Sequence, residues 1–141
     1  MHGEELLRHC EALNRQALYS SAASLTSFLL VTHNLEWQVY STYAASLFGQ
    51  GEYKRAVSAY QTALDMLPGP ADSAEVVDLR WKLAECHAKA GNHQLQLYTL
   101  TGIPIHVRSP AVHMALGHLF LRMSNDREAL ASFHNALAAC P

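Results

Sequence analysis

Apolar residues recur along this chain at spacings of three and four, in blocks of 12 to 16 residues separated by short polar or Gly/Pro interruptions. That periodicity predicts paired α-helices rather than strands. The first block runs from about Glu4 to Ala17, with Leu6, Leu7, Cys10, Leu13 and Ala17 on one face. The second runs from Ser20 to Thr32 and carries Leu25, Phe28, Leu29, Leu30 and Val31. A break near Leu18-Tyr19-Ser20 separates them. Further pairs of blocks begin at Trp37, at about Ala74 and at Pro110.

Within these blocks the small residues are not scattered. Tyr43, Ala44 and Leu47, followed by Ala56, Tyr60, Ala63 and Pro68, are echoed by Leu116, Gly117 and Phe120, followed by Ala129, Phe133, Ala136 and Pro141. Two antiparallel helices that pack closely admit only Gly or Ala where they cross, and large rings fill the gaps beside the crossing. This spacing is that of the tetratricopeptide (TPR) unit. A middle unit keeps Leu83, Ala84 and Gly91 but carries Gln96 at a small-residue position and Leu100 at an aromatic one. From Ala44 to Ala84 is 40 residues and from Ala84 to Gly117 is 33, against a repeat of about 34. The excess lies in Pro68-Gly69-Pro70-Ala71-Asp72, which cannot continue a helix. The chain therefore reads as one all-α TPR solenoid over 1–141. It has a degenerate leading helix pair at 4–33, a unit at 37–68, an inserted loop at 68–73, a degenerate unit at 74–104 and a unit at 110–141.

Cap signals agree with this register. Ser109 precedes Pro110 as a hydroxyl cap before a proline at the first helical position. Asp72 with Glu75, and Asn125 with Glu128, have capping-box spacing. Gly49-Gln50-Gly51 and Gly91-Asn92 mark reversals that need a left-handed residue. Ser109-Pro110 is also a proline-directed phosphorylation pattern, but capping accounts for it without modification.

Composition narrows the function. A net charge of −2, with 10 Lys and Arg scattered along the chain, gives no nucleic-acid footprint. The apolar stretch Ala22 to Val31 is too short to cross a bilayer, and the acidic start Gly3-Glu4-Glu5 is unlike a signal peptide, so a soluble intracellular protein is expected. Cys10, Cys86 and Cys140 lack any C-x-x-C pair and read as buried reduced thiols rather than a disulfide or zinc framework. His113 and His118 are five apart, the wrong spacing for two ligands on one helix face, and His87 takes a packing position beside Cys86. No nucleophile, base and orienting group can be assembled, so neither a catalytic nor a metal nor a cofactor site is expected.

In a TPR array the first helix of each pair lines the inner face, where other polypeptides bind. The register puts Gln38, Ser41, Ala45 and Phe48 there, then Asp78, Trp81, Glu85 and Ala88, then Ala111, Met114, His118 and Leu121. The lining lacks the Lys, Arg and Asn set that clamps a terminal carboxylate, which argues against binding chaperone tails. Leu25, Phe28, Leu29, Phe48, Trp81, Met114, His118 and Leu121 form the candidate protein interface. Their apolar character motivates self-association as a two-fold dimer. An unrelated adaptor holding a peptide in the same groove is the alternative.

Several stretches carry a more specific resemblance: Tyr43-Ala44-Ala45-Ser46-Leu47-Phe48, Glu52 to Ser58, Lys82-Leu83-Ala84-Glu85-Cys86, Gly102-Ile103-Pro104 and Cys140-Pro141. Together they resemble the N-terminal region of the family of anaphase-promoting complex subunit seven, over essentially the whole chain. The Gly102-Ile103-Pro104 turn, which ends the second helix of the middle unit early, is its most distinctive element. The link from Thr32 to Glu36 is shorter than is usual in that family. The resemblance implies a non-catalytic scaffold and homodimerisation module in a cell-cycle ubiquitin ligase, with its partners a second copy, other TPR subunits and the ligase's coactivators. It also implies a place in nucleus and cytoplasm, with the mitotic spindle as a further site. Because the chain stops at the terminal position of a repeat with no polar capping helix, it reads as part of a longer protein.

Overall fold

The structure, a computed structural model, describes residues 2–32 and 36–140. The shortened link at 33–35 and the repeat-terminal Pro141 lie outside the described residues. Among the described residues eight α-helices follow one another: α1 (His2–Arg15), α2 (Tyr19–Thr32), α3 (Trp37–Gly49), α4 (Tyr53–Met66), α5 (Ala74–Lys89), α6 (His93–Thr101), α7 (Pro110–Arg122) and α8 (Asp126–Ala139). A single 3-10 turn, Ile105–Val107, joins α6 to α7. No strand occurs among the described residues. Each helix packs on its neighbours in sequence, and α1 also reaches α3.

The pairs close where a side chain is nearly absent. A Cβ built on Gly117 would lie 2.6 Å from the Phe133 ring, so α7 and α8 approach at a distance only glycine permits. Ala44, Ala56, Ala63, Ala84, Ala129 and Ala136 are all buried, as are Leu47, Tyr60, Leu83 and Leu116. Tyr43, Phe120 and Phe133 are half-buried beside them.

Each core joins one helix pair to the first helix of the next. The first unites Cys10 of α1 and Leu29 of α2 with Val39 of α3. The second packs Ala44, Leu47, Tyr60 and Ala63 against Leu79, Leu83 and Cys86 of α5. The third joins Ala84 and Leu100 to Val112, Leu116 and Leu119 of α7, through Ile103. Ile103 belongs to the turn that ends α6, yet it is fully buried. Arg108 braces that turn: its Nε donates to Ile103 O at 2.8 Å and its Nη2 to Thr101 O at 3.2 Å.

The leading pair is also held by polar contacts that periodicity does not show. Asn14 Nδ2 donates to Thr42 O at 3.2 Å, and the buried Ser46 Oγ donates to Asn14 Oδ1 at 2.9 Å. The Tyr19 ring lies directly against Gly49 at the end of α3, leaving no room for a side chain there.

All four hairpins place one residue in the left-handed region: Ala17 (φ 60°), Gly51 (82°), Gly91 (81°) and Ser124 (58°). Two of the four are not glycine. Capping at α7 and α8 follows the sequence, with Ser109 accepting from Val112 N and Asn125 from Glu128 N. At α5 the cap is Ser73, which accepts from Val76 N at 3.4 Å, and not Asp72. The Asp72 carboxylate instead meets His106 Nε2 at 3.2 Å, tying the inserted loop to the 3-10 turn.

Replacing Gly117 by Leu is expected to cost about 1–3 kcal/mol by overpacking against Phe133. A lower urea midpoint checks this, and an unchanged one contradicts the crossing. Ser124→Gly is expected to act in the opposite direction, gaining about 0.5–1 kcal/mol by removing a Cβ from a left-handed position that glycine fills in the two preceding hairpins. Equal or lower stability in chemical denaturation would contradict it.

Candidate protein-binding surface

The first helices α1, α3, α5 and α7 share one side of the stack, and that side is indented. One hollow of about 370 Å³ is bounded by Asn14 and Arg15 of α1, Gln38, Ser41 and Ala45 of α3, and Asp78 and Lys82 of α5. A second, of about 530 Å³, lies between α5 and the start of α7, with Val77, Trp81, Val107, Ala111 and Val112 as its apolar walls and Asp72 and Asp78 on its edge. A third, of about 190 Å³, sits on the other flank of Trp81 among Ala84, Glu85, Ala88, Leu100 and Ala115. Trp81 therefore stands between two adjoining cavities. Asp78 is engaged by Lys82 at 3.1 Å, one turn along α5, while burial pushes the Glu85 carboxyl above its ordinary value. The hollows are thus mainly apolar around Trp81, with carboxylates at their margins.

The expected interface residues do not all lie together. Trp81 and Phe48 are half-buried; Phe48 packs edge-on against Tyr53 at 5.3 Å and rests on the second core. Met114 and Leu121 are exposed on α7. His118 is exposed too, its ring 5.3 Å from Phe133. Leu25 is half-buried against the first core, and Phe28 is 54% exposed on α2. Leu29 is a correction: at 1% exposure it is part of that core, on the face of α2 turned toward Cys10 and Val39. Val31, 84% exposed and one turn from Phe28, takes its place as an accessible apolar side chain on α2.

Register explains another apolar face. Gly117 lies 73 residues after Ala44, and the same displacement carries Val57 to Leu130 and Leu64 to Leu137. Val57 and Leu64 rest on the core that α5 completes. Leu130 and Leu137 are exposed on α8.

The thiols and imidazoles separate by burial. Cys10 and Cys86 are buried, but Cys140 is exposed, contrary to the expectation of three buried thiols. Burial pushes Cys86 up to about 12 and Cys10 to about 11. His87 and His113 are buried and held below the ordinary imidazole value, by desolvation in both and by the Arg108 charge for His113. No grouping of three or more His, Cys, Asp or Glu able to hold a metal occurs among the described residues.

Known proteins resemble this chain in both sequence and fold. No family model matches it. Anaphase-promoting complex subunit 7 of Homo sapiens is 26% identical over 96% of the chain. The subunit of the same name from Dictyostelium discoideum is 21% identical over 98%. The chain spans only about 29% and 28% of the lengths of these relatives. Among solved structures, MamA superposes with a TM-score of 0.85 at 18% identity, covering 97% of this chain and 77% of MamA. A Podosopora anserina kinesin light chain with nearly identical TPR-like repeats gives 0.79 at 13% identity, covering 98% of this chain and 76% of that one. The fold is that of a TPR-like helical repeat protein.

With Cys10 and Cys86 held protonated and shielded, only Cys140 is expected to react with a disulfide reagent at pH 8 in the native state, and all three in denaturant. Two or more rapid native equivalents would contradict the burial. His87 and His113 bind protons more readily unfolded than folded, so stability is expected to be lost as pH falls below the unfolded imidazole value near 6.5. Denaturation midpoints at pH 7.5 and 5.5 check the sign, and replacing both histidines by Gln should flatten the difference.

Proposed function

We propose that this chain is a non-catalytic scaffold and homodimerisation module of a TPR subunit of the anaphase-promoting complex, supporting ubiquitin-dependent degradation of mitotic regulators. The observation that carries the proposal is the similarity to subunit 7 proteins along nearly the whole chain, in animal and amoebal sequences alike. The fold supports it, because a solenoid whose cores are shared between successive pairs offers long surfaces to other polypeptides. Its partners on this reading are a second copy, the other TPR subunits of the complex and its coactivators, and its place is the nucleus and cytoplasm, with the spindle in mitosis.

Self-association has a physical motive in α2. The helix from Tyr19 to Thr32 contains no charged residue, and while Leu29 and Thr26 face the core, Phe28 and Val31 project outward. A helix apolar on more than its core face is stable in water when a second surface covers it. We place the two-fold interface there, with Leu25 at its margin and Phe48 and Trp81 near it.

The second reading, an adaptor that holds a partner's peptide in the first-helix groove, is favoured by the twin cavities beside Trp81. Immunoprecipitation of the tagged chain from dividing cells separates the two. Recovery of the ligase's subunits supports the scaffold, and their consistent absence overturns it.

Sedimentation equilibrium at micromolar concentration is expected to give twice the chain mass. Phe28→Glu with Val31→Glu should return a monomer whose helical circular dichroism and melting remain those of a folded chain. A monomeric parent protein refutes the dimer, and an unfolded double variant refutes the placement of these residues at its surface.

A further inference from the structure

The opposite side of α5 carries a different site. Val76, Arg80, Leu83 and His87 recur at intervals of four, three and four, so they share one stripe, turned nearly opposite to the stripe of Asp78, Trp81, Glu85 and Ala88. That stripe floors a cleft of about 830 Å³ whose walls are α4 and α6. The loop inserted after α4 adds Gly69 and Ala71 to its lining, and α6, the other wall, runs for only nine residues. Leu83 and Val76 are buried at its base, whereas Tyr98 and Leu95 of α6 stand exposed along its edge, Tyr98 at 76%.

One charged group in this cleft, Arg80, has no acceptor. The guanidinium of Arg80 is pressed against Gly102, where a Cβ would collide with it. Its Nε is shielded from solvent and has no acceptor, and no hydrogen bond or ion pair to the Arg80 side chain occurs among the described residues. Asp65, the carboxylate on the α4 wall, accepts from the Gln61 amide at 2.9 Å, and the Lys82–Asp78 pair of α5 lies outside the cleft. His87 is held neutral at pH 7 by burial. A half-buried guanidinium with no bonded acceptor above a floor of Val76 and Leu83 has a carboxylate as its complement, because the guanidinium fork matches carboxylate oxygens.

We propose that this cleft binds a segment of a partner protein, pairing an acidic side chain of that segment with Arg80 and seating an adjacent apolar or aromatic side chain on Tyr98 and Leu95. The site is separate from the first-helix groove and from the dimer surface of α2, so it stands or falls independently of both.

The test is an NMR titration of the full chain, labelled with 15N, using acetyl-Glu-Phe-amide and its neutral counterpart acetyl-Gln-Phe-amide as probes at millimolar concentration. The acidic probe is expected to move the Arg80 Nε–H and Tyr98 resonances in a saturable way and to bind about tenfold or more tightly than the neutral one. Arg80→Gln should remove that preference, and Tyr98→Ala, at an exposed position, should weaken both probes while leaving the fold intact. If Arg80→Gln does not fold, Arg80→Lys keeps the charge without the fork and should reduce the preference several-fold. Equal binding of the two probes, no shift at Arg80, shifts confined to the Trp81 side, or a response to inorganic phosphate with no preference for the acidic probe overturns the proposal.

Discussion

The close crossing of helices is the constraint on which the rest of this molecule depends. Gly117 against Phe133, and Ala44 with Ala56 and Ala63 one unit earlier, let two backbones approach until only a hydrogen or a methyl fits between them. Every other apolar choice follows from that distance. Rings and leucines must lie beside the crossing because nothing else fills the space that two tilted cylinders leave. The hairpin also has to reverse within a few residues, which is why a left-handed residue stands in each turn, even where the residue is alanine or serine.

A second constraint arises from the sharing of cores. No helix pair buries its own apolar surface completely, since α3 completes the core of the leading pair, α5 that of the next and α7 that of the third. Stability is thus a property of adjacent units rather than of any one of them. The polar link from Asn14 to Thr42 and Ser46 adds direction to the first of these junctions, because hydrogen bonds fix relative position where packing of small side chains alone would let the helices slide.

The fold class was legible in the sequence because its steric requirements leave fixed spacings: a small residue at Ala44 and Gly117, an aromatic at Tyr60 and Phe133, a proline opening α7. What escaped was long-range or conformational. Nothing local distinguishes Asn14 as the partner of a serine 32 residues away. The adjacency of Asp72 and Ser73 hid which of them caps α5, since each has the chemistry and only the backbone decides. Leu29 and Phe28 are neighbours in an apolar run where α2 has too little polar contrast for periodicity to orient it, so the buried one could not be told from the exposed one. Arg80, by contrast, carried no visible signal at all, because its significance comes from the absence of an acceptor in three dimensions.

One junction differs from the others in kind. Because α6 ends after nine residues, its backbone runs alongside α7 over only a short stretch, and the two are joined chiefly by Ile103, the braced 3-10 turn and an Arg122 Nη1 contact to His93 at 2.7 Å. A coil of stacked hairpins under load bends where its turns are least fastened. The mechanical softness of this spring is therefore concentrated between its third and fourth coils. The Trp81 cavities straddle that joint, so their width is set by how α7 sits against α5 and α6.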